Sequence, residues 1–170
     1  MRERESIFDM INSDDIVMAF FPCTRFEDQI QLHMRGDNYG QKKWDDEKKL
    51  EYSRKLFSEC NDNFQLVSKL TIIALRKGFK LIIENPYSTQ HILYRYWGIK
   101  PSEIDLNRHE HGDYYKKPTM YYFINCKPKI NLLFEGVHLK ELKKIDSQNK
   151  VNRSMISPDY ARWFIKEKIL

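Results

Sequence analysis

Apolar positions cluster along the chain in two different rhythms. Residues 16–21, Ile-Val-Met-Ala-Phe-Phe, form an unbroken apolar run that ends at Pro22. Such a run fits a strand buried on both faces, and a proline cannot continue the ladder. Residues 24–44 are polar and read as a long loop. From Asp45 the rhythm changes. Leu50, Phe57, Cys60, Phe64, Val67, Leu70 and Ala74 recur at three- and four-residue spacing, which predicts a helix capped by Asp45. Arg76 and Lys77 favour its carboxyl end and Gly78 can close it. Asn61-Asp62-Asn63 could split it in two. Phe79 to Glu84 is a second short apolar run, ended by Asn85-Pro86.

Strand, helix, strand is a βαβ unit, with its two strands expected to be parallel and right-handed in connection. Ser88 is expected to cap a short helix carrying Ile92, Leu93 and Tyr96. Residues 98–118 look irregular, and Thr119 to Cys126 reads as a third, aromatic strand. Residues 127–151 are Lys-rich and weakly patterned. Ser157 as N-cap and Pro158 at the first helical position open a last helix through Tyr160, Ala161, Phe164, Ile165 and Ile169.

The chain has 170 residues, which fits a single domain, and 41% of them are apolar, enough for a core. A net charge of +5 favours polyanionic partners. The three cysteines, at 23, 60 and 126, have no disulfide-framework spacing, so a reducing, cytoplasmic setting is expected. No apolar run has membrane-span length. His109, Glu110, His111 and Asp113 could in principle hold a metal, but a polar loop accounts for them better, and no metal site is expected.

Parallel strands share one carboxyl edge, where open α/β sheets place their ligands. Cys23 follows the first strand and Glu84 ends the second, so topology can bring them to one crevice. These residues also resemble a known family. Pro22-Cys23 is similar to the Pro-Cys motif of DNA cytosine-5 methyltransferases. Glu84-Asn85-Pro86 resembles their Glu-Asn-Val motif, in the form of small phage-type relatives. Asn152-Arg153-Ser154, followed by Pro158 and a helix, resembles their last motif.

The resemblance implies a partial Rossmann-like methyltransferase sheet, α/β in class, with mostly parallel strands and flanking helices. It covers roughly residues 14 to 170, as one catalytic half-domain. It implies methylation of cytosine carbon 5 in DNA through a covalent adduct on Cys23, with Pro22, Glu84 and Asn85 around it. Attack requires a thiolate, so a depressed thiol pKa is expected, with Arg25 as a candidate cation. S-adenosylmethionine is the implied methyl donor, with Asn152 and Ser154 walling its pocket. The base must leave the duplex to reach such a crevice. Lys116-Lys117-Pro118-Thr119 stands where the family has Gln-x-Arg-x-Arg. Arg25, Lys116, Lys117 and Thr119 are therefore the expected nucleic-acid contacts, with Lys117 in place of the family's Arg. Lys127, Lys129, Lys140, Lys143 and Lys144 can lie near phosphates, in a minimal insert where the family recognises its target.

The family's Gly-rich donor-binding loop is missing, since no glycine precedes Gly36. The expectation is therefore a fragment, a subunit of a split enzyme, or an inactive module that binds DNA or a protein. An uncovered apolar strand edge would call for a dimer or a separate N-terminal half.

Overall fold

The computed structural model describes residues 6–130, 140–143 and 155–170. Four strands form one open sheet in the order β1-β2-β4-β3. They are β1 (Ile16–Phe20), β2 (Lys80–Pro86), β3 (Glu103–Asp105) and β4 (Thr119–Ile124). The helices are α1 (Asp28–Met34), α2 (Asp46–Lys77), α3 (Ile92–Tyr96) and α4 (Pro158–Phe164), the last running into a π-helical turn at Ile165–Ile169.

The βαβ unit is present. β1 and β2 run parallel, Ile16 beside Lys80 and Phe20 beside Glu84, with α2 between them in sequence. The sheet as a whole is not mostly parallel, because β4 lies antiparallel to β2 and β3 antiparallel to β4. A parallel return would need a long crossover, usually through a helix. The one α-helix between β2 and β4 is the five-residue α3. The chain instead turns back beside Glu84, where Tyr87 N donates to Pro118 O at 2.9 Å.

Side-chain alternation assigns each face of the sheet. Leu81, Ile83, Met120, Tyr122 and Ile124 join Val67, Leu70 and Ala74 of α2. Ile82, Tyr121 and Phe123 point the other way, onto Tyr160 and Phe164 of α4. The strands buried on both faces are β2 and β4, whereas β1 lies at one edge of the sheet. Ile16 is 44% and Phe20 56% exposed, which corrects the expectation of a fully buried first strand.

α2 is one 32-residue helix, unbroken at Asn61–Asn63. Its side-chain cap is Asp45, which accepts from Lys48 N, and Gly78 closes it at φ +82°. The polar stretch 24–44 contains α1, and 98–118 contains β3. α3 starts at Ile92 rather than directly after Ser88, whose hydroxyl instead meets the Asp28 carboxylate at 2.6 Å. Ser157 caps α4 as expected, accepting from Tyr160 N at 3.1 Å. Among the described residues no helix is long and apolar enough to cross a membrane.

β4 ends at Ile124 because Asn125 takes the left-handed conformation, φ +57°. Its side-chain amide donates to Ala74 O and Phe79 O, both at 2.8 Å, and ties the end of α2 to the start of β2. Asn125→Ala forfeits both bonds and strains the backbone. We expect a loss of about 2 kcal/mol in urea unfolding, with Asn125→Gly recovering only the backbone part.

Candidate functional site

The carboxyl ends of the parallel strands bring Cys23 and Glu84 to one end of the sheet. Pro22 leads into a single 3-10 turn, Cys23–Arg25, whose carbonyl at Cys23 accepts from Phe26 N at 2.8 Å and Glu27 N at 3.1 Å. This turn holds Cys23 just past β1. Glu84 sits opposite Phe20, on the face that carries Tyr121 and α4. Cys23 is half-buried, and both Glu84 and Lys117 act electrostatically on its thiol. Lys117 acts on Glu84 as well. The fold thus brings Cys23, Glu84 and Lys117 together.

The charge state of the sulfur differs from expectation. Burial pushes the Cys23 thiol up to about 12, aided by a hydrogen bond and the negative charge of Glu27. Lys117 pulls the value down, and Glu84 adds to the rise. The resting group is a thiol, not the expected thiolate. Arg25 is not its cation: the Arg25 guanidinium lies 2.5 Å from Glu59 on α2 and lowers the thiol of Cys60 instead.

Glu84 is 8% exposed, and burial raises its carboxyl above the ordinary range against the pull of Lys117 and Arg108. Its Oε1 makes no hydrogen bond and lies 3.7 Å from Arg108 Nη1. Arg108, in the 3-10 turn Arg108–His111, is 1% exposed. Its other arm pairs with the fully buried Asp113, and its plane stands 4.7 Å over the Tyr160 ring. Sequence reading missed this ion cluster. Its signal was an Arg and an Asp five residues apart in a segment without period, which looks like any polar loop.

Asn85 is fully buried. Its amide donates to the Glu84 carbonyl at 2.7 Å, and its Oδ1 has no partner. Pro22 and Lys116 are exposed and Lys117 is half-buried. Thr119 is sealed in the sheet with its hydroxyl on Lys117 O at 3.1 Å, so it supports Lys117 and cannot meet a nucleic acid directly. Asn152, Arg153, Ser154 and Lys144 lie outside the described residues. Lys140 pairs with Asp159 at 2.6 Å, Lys143 stands 4.2 Å over Tyr114, and Lys129 binds the Leu170 carbonyl. Among the described residues no group of three or more His, Cys, Asp or Glu could hold a metal.

No protein-family model, curated protein or solved structure matches this chain. Its chemistry has to be read from the crevice. The groups gathered here are a buried carboxyl whose Oε1 makes no hydrogen bond, a thiol and a half-buried ammonium. Leaving such an oxygen without a partner is costly unless a ligand supplies one.

Proposed function

We propose that the crevice takes a cytosine extruded from DNA, and that Cys23 adds to its carbon 6. The observation that supports this is the buried Glu84 carboxyl at the strand end near Cys23, its Oε1 facing Arg108 at 3.7 Å but making no hydrogen bond. A protonated Glu84 can give its proton to ring nitrogen 3 while accepting from the exocyclic amine. Cys23 gives up its proton to solvent, and the sulfur–carbon 6 bond forms as the 5,6 double-bond electrons move to carbon 5. Lys117, which already draws the Cys23 thiol down, would favour the thiolate as it attacks. Loss of the carbon 5 proton and departure of the sulfur would restore the ring.

S-adenosylmethionine would supply the methyl group to carbon 5. Asn152 and Ser154, which would wall its pocket, lie outside the described residues. The proposal therefore rests on the base side of the pocket. In this reading the sheet is half of a Rossmann-like methyltransferase sheet, and the exposed edge of β1 is where a second half would join.

A second reading is a module that binds DNA or a protein partner without turnover. The resting thiol, raised to about 12, favours it.

The two readings separate with DNA carrying 5-azacytosine, which accepts a thiolate at carbon 6 without a methyl donor. We expect an adduct on Cys23, located by mass spectrometry, that is absent in Cys23→Ala and slowed about 100-fold or more in Glu84→Gln. DNA retention without an adduct would leave the binding module. Modification of Cys60 or Cys126 in place of Cys23 would overturn the assignment.

A further inference from the structure

A cleft that does not include Cys23 or Glu84 opens at the β3 edge of the sheet. It encloses about 450 Å3, within the range of small-molecule sites. Its wall is aromatic: the His111 ring lies flat on Trp163, with centroids 3.9 Å apart and planes 10° from parallel. His111 Nδ1 is 3.0 Å from Asp105 Oδ2. Asp105 is 8% exposed and is itself fixed by the Tyr160 hydroxyl and by Asn107 N, both at 2.9 Å. In the neutral ring, an Nδ1 that donates to this carboxylate leaves Nε2 an acceptor, and no described residue meets it.

Two more acceptors in the cleft lack partners. Asn107 Oδ1 is buried with no hydrogen bond, its amide being spent on Glu110 at 2.6 Å. The Glu167 carboxylate pairs with no described residue. These three groups are acceptors. A ligand that satisfies them must bring donors, and donors in an anionic cleft favour a cation.

The surrounding charge agrees. Glu103, Asp105, Glu110 and Glu167 line the cleft against one ammonium, Lys168, on a chain whose net charge is +5. That ammonium displays the preferred chemistry already. It sits 3.0 Å from Glu103 and 5.9 Å from the Trp163 ring centre.

We propose that this cleft binds a small organic cation, a primary ammonium or guanidinium on an apolar stem. Its charged end meets Glu167, Asn107 Oδ1 and His111 Nε2, and its stem lies along Trp163. Polyanions are repelled here, so the site is distinct from any nucleic-acid surface.

The test is calorimetric titration of the full chain with agmatine at low salt, together with the NMR signals of the His111 ring. We expect saturable binding that shifts His111 and weakens roughly tenfold in Glu167→Gln and in His111→Phe. Asp105 is a buried hub whose loss can unfold the chain, so the decisive variant is Lys168→Met. It removes the competing cation and should tighten agmatine binding, which structural damage would not do. Absence of saturation, equal binding of uncharged butylurea, stronger binding of AMP, or weaker binding by Lys168→Met would each overturn the proposal.

Discussion

Arg108→Met should destabilise the protein by about 3–5 kcal/mol in urea unfolding near neutral pH. The guanidinium is 1% exposed, pairs with Asp113 and faces Glu84 Oε1 at 3.7 Å. Removing it leaves two carboxyl groups in a dry site without their cation, and the Tyr160 face without its stacked plane. The buried pair need not add much to stability while intact, since both charges were desolvated to make it. Breaking it is what costs. Acidification should return part of the loss, because protonating Glu84, whose carboxyl burial already raises, removes uncompensated charge. Arg108→Lys keeps a cation but not the planar fork, and should fall between wild type and Arg108→Met. A cost below about 1 kcal/mol for Arg108→Met would mean that the cluster is solvated, and would undo this account of Glu84.

The parts of the fold visible in the sequence were those with a local cause. The 3.6-residue rhythm from Leu50 to Ala74, Asp45 and Gly78 at its ends, and Ser157-Pro158 each dictate structure within a few residues. Asn61–Asn63 lower helix propensity, but packing of Val67, Leu70 and Ala74 beyond them carries α2 through. Strand direction was not legible past β2. It depends on how the chain between Tyr87 and Pro118 returns, and that segment holds no helix long enough to span a crossover. The edge position of β1 was equally hidden, since an apolar run does not reveal which of its two sides finds a partner.

The site divides along the same line. Cys23 and Glu84 were found together because parallel strands share an edge, a rule of topology that needs no side-chain detail. The thiol's charge state was misjudged because it depends on Glu27, four residues on, and on burial. Arg25 was credited as the nearby cation, yet Glu59 of α2, distant in sequence, holds it. Arg108 and Asp113 went unseen for a related reason. A buried ion pair in an irregular segment has no period, and only the packing of α4 against the sheet makes it internal.

Replacing His91 by Phe should flatten the protein's stability between about pH 6.5 and pH 4. His91 is 1% exposed, neither ring nitrogen has a partner, and its ring lies 5.8 Å from that of Phe26. Burial lowers its pKa from 6.5 to about 4, against the opposing pull of Asp28. The unfolded chain therefore takes up a proton near pH 6.5 that the folded chain refuses until about pH 4. The unfolded state binds more protons in that window, so stability must fall as pH falls through it. Converted at 1.36 kcal/mol per unit, the loss is about 3 kcal/mol, complete by roughly pH 4. Glu84 works in the opposite sense: its raised pKa lets the folded state bind a proton first, which adds stability on acidification. Wild type alone would show the sum of the two. The difference between wild type and His91→Phe isolates the histidine, since Glu84 is common to both. Phe keeps a flat ring against Phe26 and cannot titrate. Urea unfolding midpoints across this range should diverge, the wild type losing more with each step toward acid. Parallel curves would show that the His91 ring reaches water or a partner in the folded protein, and that its burial carries no proton linkage.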